Sequence, residues 1–474
     1  MQVFNRNVSV RGLTVFTFEV VLISGSMALA ASLHGGASGV VATGWKIAIV
    51  TALCQLCFYY NDLYDLTVVH SNRELVVRLL QAAGAAAIVL AAACVAVPSL
   101  ILDSGTFVTA LGVFVVAVLT WRVTFNYVAR DPHLEERVLI LGTGHTARML
   151  AQQIATQQDF AYRLVGFLTQ ETRDKSPSGS LNARSSGSSD AAEIQVRRHE
   201  IIGAATDIDR LVASRRVDRI IVGLSDRRGR LPIEALLRAK LRGVRVEDAT
   251  TTYERLTGKI LIDDLKPSWL IFSDGFRASR WTRFVKRMLD LALSIILGVI
   301  TAPLMAATAI AIRFDSPGPA LYRQERVGEG GRTFTLCKFR SMRADAEAGT
   351  PIWAKDRDDR VTRVGRFIRL TRLDELPQLW NVVRGDMSFV GPRPERPYFV
   401  QQLAAAIPFY MERHAVKPGV TGWAQVKYRY GASVEDAMEK LRYDLYYVKH
   451  LSIVFDVTIV IDTVKVILSG KGAK

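Results

Sequence analysis

Four apolar stretches crowd the first 130 residues, at 13–33, 47–60, 75–97 and 100–121. A helix needs about 20 apolar residues to cross ~30 Å of hydrocarbon, and most of the four approach that length. A chain that begins this way is expected to place its N-terminal part in a membrane as a four-span bundle, residues 1–130. Tyr59 and Tyr60 close the shortest stretch as an interfacial aromatic pair. Arg6, Arg11, Arg73, Arg78, Arg122 and Arg130 flank one set of ends, whereas the opposite loops hold only Lys46. That asymmetry places the N-terminus and everything after Arg122 in the cytoplasm. Ala28-Leu29-Ala30 mimics a signal-peptide cleavage site, but Glu19 interrupts the apolar core before it and three further stretches follow, so a span is expected. Cys54 and Cys57 have redox-pair spacing inside an apolar run, where packing is the expected role.

The whole chain of 474 residues carries 61 Lys/Arg against 45 Asp/Glu, a net charge of +16. Its apolar content excludes a disordered chain, and its four cysteines exclude a disulfide-stapled secreted fold. From Glu135 the pattern turns to soluble α/β alternation. Residues 137–147, RVLILGTGHTA, read as a buried strand, a glycine turn and the start of a helix. Further strands are expected at 165–168, 201–202, 219–223 and 244–248, with helices at 207–215 and 232–241. This is a Rossmann-like domain, 135–265, with a flexible Ser/Gly/Asp-rich insertion at 171–192. Gly142 and Gly144 form a weak nucleotide-binding candidate, because such a turn presents backbone N–H groups and a helix N-terminus to a phosphate. The usual acidic partner is missing, since Asp159 precedes the second strand.

Residues 288–312 form a 25-residue apolar run broken only by Asp290. Length alone favours a crossing, but a crossing would export a tail whose region, 280–474, holds 31 Lys/Arg and 20 Asp/Glu. Both flanks are basic, with Arg280, Arg283, Lys286 and Arg287 before and Arg313 after. Pro303 breaks helical bonding past the middle. A re-entrant helix that bends near residues 301–303 and returns to the cytoplasmic face is expected.

The chemistry concentrates between Tyr322 and Asp444. Arg360, Arg363, Arg366, Arg369 and Arg372 repeat every third residue, which on a helix makes a drifting guanidinium stripe. Such a stripe suits anionic lipid headgroups or phosphate capture, with Arg369 and Arg372 as the phosphate ligands. Asp374 and Glu375 follow within LDELPQL, 373–379. Adjacent carboxylates repel unless a divalent cation or the arginines stand beside them. One could hold Mg²⁺ while the other attacks phosphorus; a helix cap at Asp374 is the structural alternative. Lys338 and Arg340 lie in KFRSM, 338–342. Arg393 and Arg396 lie in GDMSFVGPRPERP, 385–397, and KPGVTGWAQ spans 417–425.

The combination of these four blocks resembles the bacterial polyprenyl-phosphate glycosyl-1-phosphate transferases, and the four spans plus a Rossmann-like domain resemble their long forms. The resemblance implies a mainly α monotopic catalytic domain, 280–474, at the cytoplasmic face of the bacterial inner membrane. It implies that Asp374 attacks the β-phosphate of a UDP-sugar, releasing UMP, with Glu375 as the Mg²⁺ ligand. Arg369 and Arg393 match phosphate- or nucleotide-contacting arginines. Undecaprenyl phosphate then takes the sugar phosphate. Glucose is the first expected sugar and galactose the second; a membrane-anchored nucleotide sensor or scaffold is the non-enzymatic alternative. Arg372, Arg396, Lys338 and Arg340 are further phosphate-binding candidates, and Asp444 is a polar site candidate against surface pairing with Arg442 or Lys440. Residues 401–410 and 451–468 are expected to lie amphipathically on the membrane. Bilayer lipid and a second copy, as a homodimer, complete the expected partners. Nucleic acid is not among them, because the charge sits beside membrane segments without a recognition motif. A membrane nucleotide-sugar dehydratase would need a Tyr-x-x-x-Lys pair, which the sequence lacks.

Overall fold

The computed structural model describes residues 2–3, 6–7, 10–60, 63–64, 72–100, 103–129, 135–156, 162–169, 201–224, 231–262, 273, 275–276, 278–343, 359–428, 431 and 433–468. The expected insertion at 171–192 and Asp159 lie outside them. The chain divides into two compact units, the first holding 7–252 and the second 253–474.

In the first unit, α1 (Val10–Tyr60), α2 (Asn72–Ala96) and α3 (Ser104–Ala129) are largely apolar. If α1 were straight, Glu19 and Gln55 would be about 54 Å apart. Instead both contact the Tyr64 hydroxyl, Glu19 at 2.6 Å, and Met27 and Ile47 share one apolar cluster. The two arms of α1 therefore fold back on each other as an antiparallel pair. Residues 14–35 and 105–125 are long and apolar enough to cross a membrane, and 81–95 form a shorter apolar helix. The stretch 47–60 does not reach that length; at ~1.5 Å per residue it extends about 21 Å. Cys54 and Cys57 are free and pack with Ile23, Phe58 and Val118. Glu19 and Arg122 are both buried and meet at 2.5 Å, while Arg122 also donates to the Leu63 carbonyl at 2.7 Å.

A parallel sheet follows. Its strands are β1 (Glu136–Leu141), β2 (Tyr162–Thr169), β3 (Ile201–Ala204), β4 (Arg219–Val222) and β5 (Arg245–Asp248), in the order β3-β2-β1-β4-β5. Val138, Leu139, Ile140 and Leu141 are all fully buried, as an uninterrupted apolar run at the centre of a sheet covered on both faces requires. Helices α4 (His145–Thr156), α5 (Ile208–Arg215) and α6 (Ile233–Leu241) supply the covers. Gly142 has φ +114°, and a Cβ there would come within 2.7 Å of the Gly223 carbonyl. Close approach of neighbouring strand ends is enough to demand glycine at that position.

In the second unit, α8 (Arg280–Asp315) is one 36-residue helix that runs through Pro303. The short α7 (Ala249–Thr257), whose residues from Tyr253 on belong to this unit, precedes it. Early in α8, Lys286 bonds the Val390 carbonyl at 3.0 Å and Asp456 at 2.7 Å, and Asp290 accepts from Ser388 Oγ and the Phe389 N–H. Late in α8, Ile312 packs on Phe339 and Ile368, and Asp315 accepts the Val364 N–H. Both ends are thus tied to one globular body. Between them Ile295, Ile296, Val299 and Ile300 are more than half exposed.

The body contains the antiparallel hairpin β6 (Leu321–Val327) and β7 (Thr333–Phe339). The parallel pair β8 (Ser388–Val390) and β9 (Gly419–Thr421) brings the backbones of Gly391, Gly419 and Gly422 together, which accounts for glycine in both flanking loops. Helices α9 (Arg363–Leu370), α10 (Gln378–Arg384), α11 (Pro397–Ala406), α12 (Trp423–Lys427), α13 (Val434–Lys449) and α14 (Ile453–Leu468) complete it. Ile260 and Ile262, grouped by sequence with the middle domain, pack in its main core with Trp423, Tyr447 and Phe455.

Two expectations are corrected here. The segment 401–410 is not a surface helix: α11 ends at Ala406 and sinks Phe399, Val400 and Leu403 into the core. Its apolar face is already taken. The arginine stripe is not one helix either. Only Arg363, Arg366 and Arg369 lie on α9, and Arg372 follows it in a left-handed conformation, φ 59°.

Candidate active site

Asp374 and Glu375 occupy a single 3₁₀ turn, Leu373–Glu375, between α9 and α10. The left-handed Arg372 reverses the chain into that turn. A non-glycine residue rarely adopts this conformation, and it is held here next to charged side chains. The Glu375 Oε1 accepts from Arg393 Nη2 at 2.7 Å and lies 3.4 Å from Arg372 Nη1.

The two carboxyls respond oppositely to similar burial. Burial and the Glu375 charge push Asp374 up to about 6, against Lys338, Arg393 and Arg369. Burial would raise Glu375 too, but Arg393, Arg372 and Lys338 outweigh it and hold its carboxyl below the usual range. Lys338 is pushed down to about 8 by burial and Arg326, and Asp374 works the other way. The arrangement keeps one carboxylate paired with arginine and sets the other, with a raised pKa, beside cations.

The hairpin supplies one wall. Side chains two apart on a strand share a face, and Tyr322, Gln324 and Arg326 do so opposite Lys338. Lys338 Nζ lies 5.1 Å from the Tyr322 ring centroid. Gln324 donates to Tyr322 Oη at 3.0 Å, and Arg326 donates to Gln324 at 2.6 Å and to the Pro394 carbonyl at 2.9 Å. The β8 loop supplies the opposite wall through Arg393, and the Arg396 charge is felt at Arg326.

Of the sequence-expected residues, Asp374, Glu375, Lys338, Arg369, Arg372, Arg393 and Arg396 come together. Arg369 also donates from Nε to Ser341 Oγ at 2.8 Å. Arg340 is committed elsewhere: its guanidinium donates to the Ser316 and Pro317 carbonyls at 2.7 and 2.8 Å. Arg340 lies just past the last residue of β7, Phe339, and its guanidinium turns to the carbonyls that follow the end of α8. Asp444 is neither a surface pair nor a first contact. It is buried and ion-pairs with Arg413 at 2.8 Å, whereas Arg442 pairs with Glu439 and Lys440 donates to the Gly431 carbonyl. Arg413 also donates to the Arg393 carbonyl at 3.0 Å and to Tyr410 Oη at 2.8 Å. Asp444 thus supports Arg393 from behind. Gly142 and Gly144 belong to the first unit. Sequence reasoning missed Arg326 and Arg413; period-two alternation through Tyr322 and Gln324 marks the first, while no local pattern marks the second.

A family profile described as bacterial sugar transferase matches residues 281–470. The chain is 45% identical over 239 residues to the UDP-N-acetylgalactosamine-undecaprenyl-phosphate N-acetylgalactosaminephosphotransferase of Aeromonas hydrophila, covering 50% of this chain and 56% of that relative. It is 33% identical over 366 residues to the undecaprenyl-phosphate glucose phosphotransferase of Komagataeibacter xylinus, covering 74% and 64%. It is 43% identical over 190 residues to the UDP-glucose:undecaprenyl-phosphate glucose-1-phosphate transferase of Caulobacter vibrioides, covering 40% and 71%. The matches thus span a little over half of the first relative's length and just under two thirds of the second's.

Proposed function

Because the chain belongs to the bacterial polyprenyl-phosphate glycosyl-1-phosphate transferases, we propose that it moves a hexose 1-phosphate from a UDP-hexose to undecaprenyl phosphate. The Asp374 carboxylate forms a bond to the β-phosphorus as the bond from that phosphorus to the bridging oxygen breaks, and UMP leaves. The phosphosugar remains on Asp374. Lys338, Arg369 and Arg393 meet the charge that develops on the phosphoryl oxygens. An oxygen of the acceptor phosphate then bonds to the same phosphorus, the Asp374–phosphorus bond breaks, and the carboxylate returns. The observation that carries this reading is the divergence of Asp374, pushed up to about 6, from Glu375, held down by Arg393.

Mg²⁺ fits this donor set. Among the described residues no three His, Cys, Asp or Glu gather, but Mg²⁺ in phosphate sites commonly takes one or two carboxylates and substrate oxygens. Glu375, with Asp374 beside it, would hold it. Bound there, it would neutralise diphosphate charge.

The setting is the cytoplasmic face of the inner membrane. We read α8 as re-entrant, because a full crossing would part ends that are both tied to one body. The face of α14 that exposes Val454, Val457, Val464 and Ile467 suits the same leaflet. The parallel sheet is read as Rossmann-like, and a homodimer as the assembly.

The test incubates membranes with radiolabelled UDP-sugars, Mg²⁺ and undecaprenyl phosphate. Labelled lipid and released UMP are expected, and Asp374→Asn abolishes both. Full activity in that variant sinks the reading. Glucose is the first donor to try, then galactose; the N-acetylgalactosamine named for the Aeromonas relative joins the panel, and donor-dependent UMP release decides among them.

A further inference from the structure

The last turns of α8 form one side of an open groove of about 380 Å³, lined by Ala309, Ile310, Arg313, Phe314 and Ala320. That volume is in the range of small-molecule sites. Its walls are apolar apart from the exposed Arg313. Arg313 donates to the Gly318 carbonyl at 3.4 Å, and a guanidinium has five N–H groups to offer.

The groove adjoins the proposed nucleophile. Ala309 and Ala320 pack on the cluster of Ile312, Phe339 and Ile368, which Leu373 also joins. Leu373 precedes Asp374, and Phe339 follows Lys338. The Ala320 carbonyl accepts the Arg340 N–H at 2.8 Å. From Lys338 to Arg340 the strand advances about 7 Å. One strand end therefore joins the apolar groove to the charged site.

We propose that this groove seats the first isoprene units of a polyprenyl phosphate acceptor, with Arg313 meeting its phosphate end as it approaches Asp374. The assignment rests on the transferase reading above. Three features commit it to that occupant. The groove ends a helix whose exposed residues between 288 and 310 are all apolar, and Ile310 and Phe314 in its wall are 58% and 88% exposed, so its occupant comes from lipid. The small side chains of Ala309 and Ala320 leave a slot for a branched hydrocarbon. The guanidinium at its side matches a phosphate dianion. A UDP-sugar offers no apolar chain to fill it.

The test uses the full chain in detergent and reads the half-reactions separately. Without acceptor, labelled hexose phosphate retained on the protein and UMP released measure the first. The KM for undecaprenyl phosphate measures the second. Ala320→Leu fills the slot, and Ile310→Gln changes only an exposed wall side chain, so folding is preserved in at least that variant. Both are expected to raise the acceptor KM roughly tenfold or more while leaving the first half-reaction unchanged. An unchanged acceptor KM in Ile310→Gln, or equal losses in both half-reactions, overturns the groove. Failure of the unaltered protein to take label overturns the transferase reading instead.

Discussion

At the scale of single residues, the site is a set of opposed pKa shifts, and these make a pH prediction. Lys338, held at about 8 by burial and Arg326, is cationic below that pH and loses its charge above it. Asp374, held at about 6, is a carboxylate above that pH and a poor nucleophile below it. The kcat/KM for UDP-hexose, which reports the free enzyme, is therefore expected to plateau between roughly 6 and 8. Lys338→Arg keeps a charge that cannot be titrated away, so the alkaline limb should vanish from the residual activity of that variant. A limb that stays at 8 assigns the titration to another group. Asp374, Glu375 and their arginines were legible in sequence because they crowd into short, Pro/Gly-framed strings. Arg340 was misread because its motif does not show that the strand ends at Phe339 and that the guanidinium is spent on the Ser316 and Pro317 carbonyls. Arg413 was invisible because its partner, Asp444, stands 31 positions away and its role passes through the Arg393 carbonyl.

At the scale of elements, apolar length located most helices, but polar groups decide how they pair. In the bundle, Glu19 and Arg122 are 0% and 2% exposed, and Tyr64 and the Leu63 carbonyl, which follow α1 in the sequence, bind to them. Sequence reading used Glu19 only as an interruption of an apolar run and Arg122 only as a topological charge. Burial turns them into a register device, because removing either partner strands the other. Glu19→Gln or Arg122→Gln alone is expected to destabilise the bundle by about 3–5 kcal/mol, and the double replacement by less than either sum implies. Thermal unfolding of detergent-solubilised protein gives the cycle, and additive single losses would show that the pair is uncoupled. The arginine stripe teaches the opposite lesson. Periodicity at three residues promised one helix, yet the chain needed to turn at Arg372 to bring Asp374 and Glu375 beside Arg393.

At the scale of the whole molecule, charge and topology must agree. The region 280–474 carries a net +11 of the chain's +16, and positive segments remain on the cytoplasmic side. The 36 residues of α8 reach about 54 Å if straight, well beyond ~30 Å of hydrocarbon, so length alone cannot separate a crossing from a return. The attachments support the proposed return. Lys286 and Asp290 grip β8 and α14 near one end, and Asp315 grips α9 near the other. Pro303, between them, cannot donate to the Val299 carbonyl, which lowers the cost of bending there. Single cysteines at Ser279 and Gly318, in a background with Cys54, Cys57, Cys94 and Cys337 replaced by serine, separate the two arrangements. In intact cells both should resist a membrane-impermeant maleimide, and in inverted vesicles both should react. Labelling of Gly318→Cys in intact cells would mean that α8 crosses. That outcome would place the arginine-rich site on the opposite side from the nucleotide donor, so the same labelling experiment decides whether the chemistry assigned to Asp374 has access to its substrate.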